Sequence, residues 1–138
     1  NATRRVLRCI LRAYPEALEK IDTVDQETPL HMVFDVNNYM NNWTCDGEGQ
    51  SRRTSLLCVE DMVKIMLQCY VKHITDTRGA ARANIQLLNL LTKVKNVEGK
   101  SVIDYATICH HDCDLPVTLY RYLIDLARGT RIVQVQDN

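Results

Sequence analysis

The sequence predicts an all-α fold of short helices packed as stacked antiparallel pairs, on three observations. Apolar residues recur at helical spacing along most of the chain. Gly and Pro number only five and three, whereas a β-sandwich needs a turn signal every few residues. Leu, Ile and Val are abundant beside a single Phe and a single Trp. With 138 residues the chain fits one domain, able to bury roughly two-thirds of its unfolded surface.

Val6, Leu7, Ile10, Leu11 and Tyr14 mark a first helix over 3–14, which Pro15 ends by disfavouring helical geometry at the residue before it. A polar connection, 16–27, follows, anchored by Ala17, Leu18, Ile21 and Val24. Thr28 caps a second helix and Pro29 occupies its first position, where a missing N–H costs nothing. Leu30, Val33, Phe34 and Val36 form its inward face. Residues 37–55, rich in Asn and Gly, read as an inserted loop.

In the third helix, 56–73, Leu57, Cys58, Val59, Met62, Val63, Ile65, Met66, Leu67, Cys69 and Tyr70 nearly encircle the axis, as in a helix covered on several sides. A fourth helix, 80–92, turns Ile85, Leu87, Leu88 and Leu91 inward, and a polar connection runs over 93–100. Ser101 caps a fifth helix carrying Val102, Ile103, Ala106 and Ile108, and 109–114 reads as a short polar turn. Asp114 caps the last helix, which passes through Pro116 to Ala127 with Leu119, Tyr120, Leu123, Ile124 and Ala127 inward and Gly129 just past its end. The helical domain is therefore 1–129, and the tail 130–138 reads as an edge strand or a disordered segment.

Two stretches carry a recognisable pattern. Glu27-Thr28-Pro29-Leu30-His31-Met32-Val33 resembles the T-P-L-H-x-A opening of the first helix of an ankyrin repeat. Gly99-Lys100-Ser101-Val102-Ile103-Asp104-Tyr105-Ala106 is similar to a degenerate second copy. The second copy lacks Pro, the first has Val33 at the Ala position, and the two lie 73 residues apart from Thr28 to Ser101, against a family period of about 33. The resemblance implies an ankyrin-repeat-like solenoid of about three irregular repeats with the inserted loop between two helices of one repeat. A non-ankyrin helical repeat or a plain helical bundle is the competing architecture.

The same resemblance implies a protein–protein interaction module, an adaptor or scaffold rather than an enzyme. Its specificity would reside at connection tips, here Asp22, Thr23, Asp25 and Gln26 together with 93–98. It also implies that His31 stabilises a turn rather than acting as a base. The alternative is a structural subunit or linker segment of a larger assembly, docked through the insertion with Trp43 as its anchor, since Trp is enriched among residues that dominate binding energy. Because the chain opens without Met directly on a helical pattern, it reads as part of a longer chain or assembly.

Arg4, Arg8 and Arg12 recur every four residues and form a basic stripe, either a solvated face or a rim for an acidic partner. Arg52-Arg53-Thr54-Ser55 matches a basophilic kinase pattern with Ser55 as acceptor. Seventeen basic residues balance seventeen acidic ones, so no global field exists to hold nucleic acid or an acidic membrane surface. No apolar run reaches the length of a membrane span, and the Arg-rich opening lacks the apolar core of a signal peptide.

Among the six cysteines, Cys9, Cys58 and Cys69 fall within apolar helical patterns, where a free Cys acts as a small hydrophobe. That points to a reducing compartment, cytoplasmic or nuclear. Asn42-Trp43-Thr44 matches the N-glycosylation acceptor, a pattern short enough to arise by chance. Cys109-His110-His111-Asp112-Cys113-Asp114 gathers metal-ligand types, but no second C-x-x-C or H-x-x-H pair accompanies it. No nucleophile elbow or phosphate-cradling Gly loop appears either. The expectation is no catalytic residue, no metal and no cofactor.

Overall fold

The computed structural model describes residues 2–37 and 58–135. It is all-helical (72% helix), with no strand among the described residues. Six α-helices follow in order: α1 (Ala2–Ala13), α2 (Pro29–Asn37), α3 (Val59–Arg78), α4 (Ala80–Leu88), α5 (Val102–Asp112) and α6 (Val117–Arg128). A 3₁₀ turn, Pro15–Glu19, follows α1, and a π turn, Asn89–Lys93, prolongs α4. The inserted loop 37–55, with Trp43 and Ser55, lies outside the described residues beyond Asn37, as does Leu57.

Helix boundaries follow local chemistry. Tyr14 leaves helical geometry, at φ −145° and ψ 71°, as the residue before Pro is biased to do, and Pro15 opens the 3₁₀ turn. In α3, Glu60 and Asp61 in the first turn and Arg78 in the last complement the helix dipole. Gly79, at φ 93°, ends α3 and lets α4 fold back on it. α5 begins with a capping box: Asp104 N–H donates to Ser101 Oγ at 3.2 Å, and Ser101 N–H donates to Asp104 Oδ2 at 2.9 Å. Gly129, at φ 76°, closes α6 in the left-handed conformation expected of it. Ser101→Ala should cost about 1 kcal/mol of stability, read from a urea melt.

α3 forms the centre, packed against α1, α2 and α4, while α2 packs on α5 and α5 on α6. As its sequence predicts, α3 is covered on several sides: Val59, Val63, Ile65, Met66, Leu67, Tyr70, Val71 and Ile74 are all buried. Leu30, Phe34, Leu119 and Leu123 are fully buried at 0% exposure.

Several expectations need correction. Among the described residues of α1 Leu11 alone is buried; Val6 and Ile10, and Tyr14 just past the helix end, face solvent, because the described helices pack on one side of α1. Ile85 is 52% exposed; Leu87 and Leu91 are buried as expected, and Ala83 and Leu90 complete the inward face. The segment 109–114 is not a turn throughout, since α5 runs to Asp112 with Cys109 continuing its buried face. Asp114 does not cap α6: it sits at φ 60°, and Pro116, at ψ 138°, delays the helix to Val117. The tail to Val135 forms no strand and lies on the core through buried Val133.

Candidate functional site

The two motif copies, far apart in sequence, meet through their turns. Asp22 N–H donates to Glu27 O at 3.0 Å, and Asp22 Oδ1 accepts from Glu27 N–H at 2.8 Å. Asn96 builds the second turn in the same way. Its N–H donates to Lys100 O at 3.0 Å, and its Oδ1 accepts from Glu98 N–H at 3.0 Å and Lys100 N–H at 2.9 Å. Gln26 and Gly99, each just before the closing residue, both take positive φ, 58° and 77°. Glycine takes this conformation without strain, whereas Gln26 does so at a steric cost.

A backbone bond and a buried histidine join the turns. Val97 N–H donates to Asp25 O at 2.9 Å. His31, fully buried, reaches from the first copy to the second. Its Nδ1 lies 3.1 Å from Thr28 N and 2.9 Å from Thr28 Oγ1, while its Nε2 lies 3.0 Å from Lys100 O. A backbone N–H can only donate, so Nδ1 accepts and the proton sits on Nε2, which donates to Lys100 O. Burial lowers the His31 pKa below 6.5, which keeps this neutral tautomer in place at pH 7. His31 therefore stabilises the turn, as its sequence context implies, and also ties one turn to the next.

Beneath the turns lies a polar network. Tyr105 Oη donates to Glu27 Oε2 at 2.8 Å, and Asn96 Nδ2 donates to Glu27 Oε2 at 3.2 Å and to Tyr105 Oη at 2.7 Å. Burial, then the bond to Glu27, pushes the Tyr105 phenol up. The Asp35 carboxyl is raised as well, first by burial and then by the negative charge of Glu27. A raised carboxyl favours the folded state as pH falls through its folded value and opposes it above. Asp35→Asn should therefore raise the urea midpoint at pH 7 and give no gain at about pH 3, below the ordinary carboxyl range.

Of the residues expected at the connection tips, Thr23, Asp25 and Gln26 are exposed. Asp22 is half-buried, its carboxylate engaged in shaping the turn. Ile21 and Val24, expected to anchor the connection, instead face solvent, Val24 at 78%, and Leu18 alone is buried deeply. Val97, 62% exposed, stands on the neighbouring turn. The sequence signal for Val97 was available: an apolar residue between Asn96 and Glu98-Gly99 has no helical partner.

The arginine stripe divides. Arg4 pairs with Asp61 and clamps α1 to α3. Arg8 and Arg12 border a half-open cavity of about 300 Å³ between the same helices, over Leu11, Pro15 and Cys69, with Lys72, His73 and Asp76 opposite. Cys109 is buried, its thiol pushed up to about 12 chiefly by burial, and its Sγ lies 3.7 Å from Phe34 O. His110 stacks on Tyr120 at 4.3 Å. Among the described residues no group of three or more His, Cys, Asp or Glu is placed to hold a metal ion. No described helix is long and apolar enough to cross a membrane. Cys58, expected as a free buried thiol, is disulfide-bonded, and Cys9 is exposed rather than buried.

No family model, curated protein or solved structure matches the chain.

Proposed function

We propose that the chain is a protein-binding module of the ankyrin-repeat type, an adaptor or scaffold that contacts its partner through the two joined turns. The observation that carries this reading is the pairing of the turns, which sets Val24 and Val97 on adjacent tips, both open to solvent. Exposed apolar residues on a hydrogen-bonded frame lose little conformational freedom on binding. Thr23, Asp25 and Gln26 supply polar contacts around them. The buried positions of His31 and Glu27 keep both from meeting a substrate, which favours a structural role for the motif.

Quantitative affinity capture tests the reading. Wild type should enrich a defined protein set that Val24→Asp/Val97→Asp loses while keeping its helical spectrum. Equal enrichment by both would remove the turns from the interaction.

A second reading, a structural segment of a larger assembly, draws on the exposed stripe Val6, Ile10 and Tyr14 along α1, where a further helix could pack. Concentration-dependent oligomerisation abolished by Ile10→Glu would favour it. The compartment turns on Cys58. Its disulfide favours an oxidising environment over the cytoplasm or nucleus that the cysteine pattern suggests. Alkylation of the protein in intact cells distinguishes the two.

A further inference from the structure

We infer that a second binding surface lies along the exposed ridge of α3 and takes an acidic, partly apolar linear segment of a protein partner. The inference rests on the protein-binding reading but uses a different surface from the joined turns.

Lys64, Gln68 and Lys72 recur every four residues on one face of α3. On one side lies the cavity with Arg8 and Arg12 over Leu11 and Cys69. On the other, a second groove is lined by Tyr122, Arg131 and Ile132. Gln68 lines both grooves, so the two flank one ridge of α3, a track that a single extended segment can cross. Lys64 to Lys72 spans about 12 Å of helix, the reach of roughly four extended residues.

The chemistry of the track selects its occupant. Among the described residues no carboxylate pairs with Arg8, Arg12 or Arg131, whereas Lys64 pairs with Glu60 at 3.7 Å and Lys72 with Asp76 at 3.1 Å. The guanidinium of Arg131 rests 4.7 Å from the centre of the Tyr122 ring, which fixes its position and leaves its N–H edge to meet a carboxylate. The 300 Å³ cavity has an apolar floor suited to a side chain such as leucine. A polyphosphate chain would meet Glu60 and Asp76 beside the same ridge and find no use for an apolar floor. A peptide with carboxylates flanking apolar side chains satisfies both features.

The test uses the full 138-residue chain and a fluorescein-labelled hexapeptide alternating glutamate and leucine, read by anisotropy. Lysine-for-glutamate peptide and a single-stranded DNA hexamer serve as comparison probes. The acidic peptide should bind best and weaken with added salt. Arg8→Glu/Arg12→Glu and Lys64→Glu/Arg131→Glu should each reduce its affinity at least tenfold. The charge-matched Arg82→Glu/Arg128→Glu, away from the track, should leave it within about twofold. Equal binding of the lysine peptide, tighter binding of the DNA, or unchanged affinity in both track variants would overturn the inference. If a track variant fails to fold, amide shifts of wild type on peptide addition replace it: shifts on α1 and α3 support the track, and shifts confined elsewhere overturn it. Loss of partner capture in the turn variant with peptide binding intact would bear on the turns alone.

Discussion

Replacing His31 with alanine is expected to cost about 2–5 kcal/mol, read as a fall in the urea midpoint without a change in slope. The side chain is fully buried and satisfies a donor on its own turn and an acceptor on the other. Without it Thr28 N–H loses its partner while Lys100 O keeps only Asn96 N–H, and a buried polar group left unmet costs about 1–3 kcal/mol, to which the cavity left by the ring adds. The pH dependence carries a second signature. Because the folded pKa of His31 is lowered, its contribution is complete above the ordinary value of 6.5 and is lost as pH falls toward the folded value. Wild type should therefore lose stability on acidification from pH 7, and His31→Ala should show a shallower loss. A neutral substitution with an unchanged pH profile would mean that the turns are not tied through His31.

Leu30→Ala and Leu123→Ala are each expected to cost about 2–5 kcal/mol, since both side chains are at 0% exposure and leave cavities that the packed helices cannot close. Ile85→Ala gives the contrast. The sequence pattern places it inside, yet it is half-exposed, so truncation should change stability by no more than about 0.5 kcal/mol. Denaturant melts in which the three substitutions behaved alike would contradict this core.

Those three residues also mark what the chain makes legible. Helical periodicity located every described helix, and the Ser101 and Gly129 signals placed the start of α5 and the end of α6, because caps act within a few residues of themselves. Which side of a helix is covered depends on its neighbours. α1 carries apolar residues that suit two covered sides but meets the other described helices on one, and that is visible only once the chain is packed. The Pro116 backbone overrode the Asp114 cap for a steric reason that a count of capping residues does not register.

The candidate surface was readable in fragments. Thr28 and His31 were visible as a motif, and the polar tips followed from the resemblance. What joins Asp25 to Val97 is a backbone hydrogen bond across a long intervening stretch, for which neither residue type is a marker. Arg8, Arg12 and Lys72 likewise belong to two ordinary helical stripes in the sequence, and only the packing of α1 on α3 sets them around one cavity.

Whether the two motif turns form one frame is read from a through-hydrogen-bond NMR correlation. A scalar coupling between the Val97 amide nitrogen and the Asp25 carbonyl carbon is expected, with slow exchange of the Val97 amide proton. Absence of that coupling, with the Val97 amide exchanging at the rate of an unstructured chain, would contradict it.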